Sequence, residues 1–270
     1  MVKFTHYLVT RFNVPVEGWN KDKGGQPILD ETWMKHRLSL FKTYCMPTIQ
    51  HQTTKNFQWI IYCDKNTSAA YMKQIEDWIK NIPAKSVRQV SDLTELMSDL
   101  RKLISKTDTP FVITTRLDND DGLGRNTMQI IQEHFKEKDL LLLNFLSGIV
   151  YDTRIKVITE IKKGQQNHYT SLIEMRKPAE QMITVLGFAH DNPPPAIMIE
   201  NLSAKSAWLK IIHEKNMKSR LKGKPVFKSN SNYFEAIPNS KFPLSHLNTL
   251  KYIVRRVLQK TGDHLRLKRR

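Results

Sequence analysis

The feature that most restricts the fold is an apolar, β-branched run that stops in a knot of acids, Pro110-Phe-Val-Ile-Thr-Thr-Arg-Leu-Asp-Asn-Asp-Asp-Gly-Leu-Gly124. Phe111 to Leu117 has the composition of a buried strand. Asp118, Asp120 and Asp121 then fall within four positions, and Gly122 and Gly124 break the run. Three carboxylates this close repel one another, so the arrangement is costly unless a cation or a set of donors neutralises it. Ligands of α/β proteins bind beyond the carboxyl ends of strands. The cluster is therefore expected to be a divalent-metal site for a phosphorylated substrate.

The flanking pattern predicts an open α/β sheet. A first strand, Lys3 to Thr10, leads into Arg11-Phe12-Asn13, and Pro15 to Pro27 reads as a loop. Asp30 can cap a helix carrying Trp33, Leu38 and Phe41, with an interruption at Pro47 and a second short helix to Gln52. Phe57 to Cys63 is a buried-strand run ending in Asp64, and Thr67 or Ser68 caps the helix after it. A short strand from Val87 to Val90 precedes an amphipathic helix with Leu93, Leu96, Met97, Leu100 and Ile104 on one stripe. A helix from Arg125 to Phe135 and a strand from Leu140 to Phe145 follow the acids. This strand–helix alternation gives the fold class.

Beyond Gly148 the pattern loosens. Ile149–Asp152 and Ile155–Ile161 alternate like a hairpin, and Asn167–Glu174 reads as a turn entering a short helix. Asp191-Asn-Pro-Pro-Pro195 is a stiff exposed loop. Leu247, Leu250, Ile253, Val254 and Leu258 recur at helical spacing in the tail.

The chain carries 43 Lys and Arg against 26 Asp and Glu, a formal charge of +17, which points to an anionic partner. The excess is concentrated late: residues 205–230 hold eight basic residues against Glu214, and residues 251–270 hold eight against Asp263. Cys45 and Cys63 make no disulfide framework or zinc spacing. No apolar stretch is long enough for a membrane span or shaped like a signal peptide, so a cytoplasmic location is expected.

Several motifs share an Asp-x-Asp core. An EF-hand loop needs Gly at its sixth position and Glu at its twelfth, where this chain has Leu123 and Gln129. A phosphatase motif needs Thr or Val at the fifth, where it has Gly122, and there is no Gly-x-x-x-x-Gly-Lys-Ser/Thr loop. What remains resembles the DxD motif of GT-A glycosyltransferases. Thr115-Arg-Leu-Asp-Asn-Asp-Asp-Gly-Leu123 is similar to the signature of the rhamnosyltransferase-like family of bacterial and viral glycosyltransferases. Leu8-Val-Thr-Arg-Phe-Asn13, Arg37-Leu-Ser-Leu-Phe41, Phe57-Gln-Trp-Ile60 with Asp64, and Trp208-Leu-Lys-Ile-Ile-His213 with Asn216 extend the likeness in order over residues 4–220.

The resemblance implies a GT-A, Rossmann-like, open mixed sheet over residues 1–225 and a basic helical extension over 226–270. It implies transfer of a sugar, with inversion, from a UDP- or dTDP-sugar to a glycan or lipid-linked acceptor. Mn²⁺ or Mg²⁺ would be held by Asp118, Asp120 and His213, with carboxylate and phosphate oxygens suiting a hard cation. Arg11, Asp64, Arg116 and Asp118 would bind the donor nucleotide. Asp121, counted with the catalytic residues, would orient the sugar or stand behind the metal ligands as a supporting acid. The base is sought among Glu174, Asp191 and Asp152, with His190 on the acceptor side. The basic tail, with Val254, Leu258, Leu265 and Leu267, would meet the inner face of an anionic membrane. The alternative is a nucleic-acid-binding protein or a metal-dependent phosphodiesterase.

Overall fold

A computed structural model of the chain describes residues 2–18, 30–162, 167–216, 220–227 and 241–267, with side chains of the last segment through Gln259. Most of the expected Pro15–Pro27 loop, and the side chains of Leu265 and Leu267, lie outside the described residues.

The larger sheet contains β1 (Phe4–Arg11), β2 (Gln58–Asp64), β3 (Lys85–Val90), β4 (Phe111–Arg116), β6 (Leu141–Phe145), β9 (Thr170–Met175) and β10 (Met198–Leu202). Its order is β10-β6-β9-β4-β1-β2-β3. β4, β1, β2 and β3 run parallel, β9 runs antiparallel between β4 and β6, and β10 is parallel to β6. The open α/β sheet expected from the strand–helix alternation is therefore present, and it is mixed.

Helices cover its two faces. Alternate residues of β1 point to opposite sides, so Leu8 joins a core with Trp59, Ile61 and Ile113, whereas Tyr7 and Val9 join Ile60, Tyr62 and Val112. The first core is closed by α1 (Glu31–Leu40) and α3 (Ala69–Ile79), the second by α4 (Leu93–Ile104). Asp30, Ser68 and Asp92 accept from Trp33, Tyr71 and Glu95 N–H at the three helix starts.

Pro47 does not interrupt the first helix. α1 passes through a π turn, Phe41–Cys45, into α2 (Met46–Gln50), with Pro47 in the first turn of that segment. The wide turn shifts the hydrogen-bond register, so the proline meets the helix where its missing N–H costs little.

A second sheet, ordered β12-β8-β7-β11-β5, lies beyond the acidic turn. It consists of β5 (Gly122–Leu123), β7 (Gly148–Asp152), β8 (Val157–Ile161), β11 (Trp208–Ile212) and β12 (Lys224–Val226). β7 and β8 form the expected hairpin. Asn167–Glu174, however, is not a turn and helix: it supplies β9, a central strand buried from Thr170 to Glu174. Its polar residues break the period-two signal yet are satisfied inside, as where Ser171 Oγ meets Thr115 Oγ1 at 2.7 Å. α5 (Thr127–Glu133) follows the acids, and α6 (His246–Leu267) packs against β8 and β12.

Candidate active site

The carboxyl ends of β1, β2 and β4 lie side by side, and the chain beyond β4 is pinned there. Leu117 N–H donates to Val9, Asn119 Nδ2 donates to the Phe12 carbonyl at 2.8 Å, and Asp121 N–H closes a turn onto Asp118. Gly124 then hydrogen-bonds Ala207, and a Cβ there would sit 2.4 Å from the Ser206 carbonyl oxygen. Glycine is therefore needed where the turn enters the second sheet.

Held this way, the three acids face three different sets of partners. Asp118 pairs with Arg116 at 3.2 Å. Burial opposes its charge, but the positive charges of Arg116, His168 and Arg11 hold its carboxyl well below the usual range. Asp120 is met by Arg37 Nη1 at 2.6 Å and by His213 Nε2 at 2.9 Å, both on Oδ2. Against desolvation, Arg37 and His213 lower this carboxyl to about 2. Asp121 accepts from Tyr169 Oη at 2.7 Å and from Ile211 N–H at 2.9 Å, and lies 3.1 Å from His168 Nε2. The tyrosine ring is itself stacked on Trp208 at 4.7 Å. Donors thus offset much of the mutual repulsion.

The structure brings Arg11, Arg116, Asp118, Asp120, Asp121 and His213 together. Arg11, at the end of β1 opposite Tyr62, interacts electrostatically with Asp118, Arg116 and Arg37. Asp64 ends β2 and is buried, with Oδ1 accepting from Asn66 N–H. His190 lies 5.6 Å from the His168 ring and within the fields of Arg116, Asp191 and Asp118, while Asp191 is exposed.

Of the other candidate bases, Glu174 lies away from the acidic turn, while Asp152, opposite Ile212 in the second sheet, is engaged in an ion pair. Glu174 stands opposite Val112, four residues before the end of β4, so about 13 Å of strand separates it from the acids' end of the sheet. Its carboxylate is buried and accepts from Ile183 and Thr184 N–H, both at 2.8 Å. Burial raises its pKa in spite of those bonds. It anchors a loop away from the acidic turn, which does not suit the role of catalytic base that the resemblance implied. Asp152 is buried and forms a bidentate pair with Arg154, at 2.9 and 2.5 Å.

Arg37, His36, His168 and Tyr169 were not assigned site roles from sequence. His168 and Tyr169 precede a strand antiparallel to β4, which places the start of β9 beside the end of β4. Recognising β9 as a strand would have located them.

Among the described residues, three groupings bear on a divalent cation, one of them His36, His213 and Glu214 with ligand atoms within 4.8 Å of one another. Asp120 Oδ2 and His213 Nε2 are 2.9 Å apart, close to the roughly 3 Å between neighbouring ligands of an octahedral ion with bonds of about 2.1 Å. Asp118, Asp121 and His168 offer ligand atoms all within 4.8 Å of one another. The Asp120–His213 spacing suits a hard cation, whereas Asp121, in the last grouping, is already engaged by Tyr169, His168 and Ile211 N–H.

Residues 5–225 match the model of the family described as putative rhamnosyl transferase. The chain belongs to this family. No curated protein matches the sequence. Among solved structures, S. aureus TarS 1–349 in complex with UDP-GlcNAc is similar at 14% identity and TM-score 0.46, over 87% of this chain and 64% of that one. S. aureus TarS 1–349 alone gives 15% and 0.40, over 78% and 60%. HddC from Yersinia pseudotuberculosis gives 11% and 0.37, over 77% and 93%. The chain spans about three fifths of the length of these two TarS 1–349 structures.

Proposed function

We propose that this protein is a metal-assisted glycosyltransferase that moves a hexosyl or rhamnosyl unit from a UDP- or dTDP-sugar to a glycan or lipid-linked acceptor, with inversion. The observation that carries this reading is Asp120 held between Arg37 and His213 at the carboxyl end of the sheet, in a member of a rhamnosyl transferase family.

Asp120 and His213 would hold the cation, with Asp118 beside them. Asp121 is less suited, because its oxygens already serve Tyr169, His168 and Ile211. When bound, Mn²⁺ or Mg²⁺ supplies Lewis acidity that offsets charge on the departing diphosphate. Arg11 and Arg116 add fixed positive charge beside that diphosphate, and a guanidinium is well matched to phosphate oxygens. Asp64 receives a base N–H or a ribose hydroxyl. Asp121, fixed by Tyr169, orients the sugar. Asp191, exposed beside His190, takes the acceptor proton as general base.

Hydrolysis of nucleotide sugars in the absence of acceptor tests this. A member of the UDP- or dTDP-sugar set should be hydrolysed with Mn²⁺ and not with EDTA. Asp191→Asn should lower kcat for transfer at least a hundredfold with KM for the donor little changed. Turnover unaffected by chelation would remove the metal from the account, and no turnover with any nucleotide sugar would count against the transferase.

A further inference from the structure

We propose that the outer face of α6, together with Phe227, is a docking face for an anionic lipid surface. Leu247, Leu250 and Val254 follow one another at helical spacing and are 62%, 52% and 55% exposed. The helix's other side is engaged: Thr249 is buried, Asn248 Nδ2 donates to the Ile155 carbonyl, and Tyr252 Oη lies 3.4 Å from the Leu221 and Gly223 carbonyls. Among the described residues, the stripe is therefore left over after α6 has packed against β8 and β12.

Phe227, 46% exposed just after β12, stacks on His246 at the start of the helix with ring centroids 6.1 Å apart. It extends the apolar surface past the end of α6. Around it the charge has one sign. Lys251 and Arg255 are exposed on the helix, and Lys222 and Lys224 are exposed on and beside the strand it packs against. Neither 220–227 nor 246–259 contains an acid. Glu160, opposite Lys224 in the sheet, is engaged by Lys162 at 3.4 Å.

An aliphatic stripe with an aromatic at one end and lysines beside it matches an interfacial helix, whose apolar side enters the acyl boundary while its cations meet anionic headgroups. A nucleic acid would satisfy the lysines but leave the stripe in water. This surface is centred on the first half of α6 and on Phe227, rather than on the last residues of the basic tail. It does not depend on the proposed donor site.

Flotation of the full chain with vesicles tests it, comparing pure phosphatidylcholine with a phosphatidylcholine–phosphatidylglycerol mixture. Binding is expected to the anionic vesicles only. Leu250→Glu with Val254→Glu should weaken it about tenfold or more. Lys224→Glu with Lys251→Glu should do the same. All four positions are exposed, and an unchanged thermal melt would show that each variant still folds. Three results would overturn the proposal: no flotation; flotation insensitive to the stripe variant, which leaves only electrostatic adsorption; or a lipid-free dimer, seen by sedimentation, that the stripe variant dissolves.

Discussion

The acidic turn shows how one residue's partners decide what it can do. Asp121 rests on Tyr169, and a hydrogen bond from a hydroxyl to a carboxylate contributes about 1.5–3 kcal/mol. Tyr169→Phe should therefore lower stability by that order in urea titration and reduce kcat, since Asp121 loses a donor that fixes its rotamer. Wild-type stability in the variant would mean that water replaces the hydroxyl. A second residue, His6, is buried on β1 between Thr115 Oγ1 and Gln132, and burial lowers its pKa to about 3. The unfolded chain binds a proton at His6 below about pH 6.5 while the folded chain does not. Stability from this group is thus complete above pH 6.5 and is lost as pH falls toward 3, at up to about 1.4 kcal/mol per pH unit. Asp120, lowered to about 2, adds a loss in the same direction only below about pH 4. Chemical denaturation between pH 6.5 and 4.5 should show a slope that His6→Asn flattens; an unchanged slope would assign it to His36 and His190, whose pKa values burial also lowers.

At the scale of elements, β9 is where reading the sequence and seeing the fold part company. β1, β2, β4 and β6 were legible because hydrophobic runs buried on both faces leave a plain signal. β9 was not, because Thr170, Ser171 and Glu174 are polar yet buried, and their partners come from distant strands and loops. The same misreading hid His168 and Tyr169 and placed Glu174 too near the chemistry. Asp118 and Asp120 were legible as a pair because they end a strand. Arg37 was not, since only the tertiary fold brings α1 to Asp120. Glu174→Gln tests the corrected placement. It should destabilise the protein by about 1–3 kcal/mol through the loop at Ile183 and Thr184, while kcat per folded molecule stays within about twofold. A hundredfold loss of kcat would restore Glu174 as a base.

For the whole molecule, two sheets meet at one turn: the larger ends in the arginines and acids, and the smaller delivers His213 just beyond the end of β11. The central claim is that this junction holds a cation and a nucleoside diphosphate together. Thermal denaturation with UDP, dTDP, GDP or CMP, each with and without Mn²⁺, tests it most directly, because a ligand that binds only the folded state raises its stability. A diphosphate should raise the melting temperature with Mn²⁺ present and do so little without it. Asp120→Asn and His213→Ala should each abolish the metal-dependent part. A shift equal with and without Mn²⁺, or one that survives both substitutions, would contradict the account.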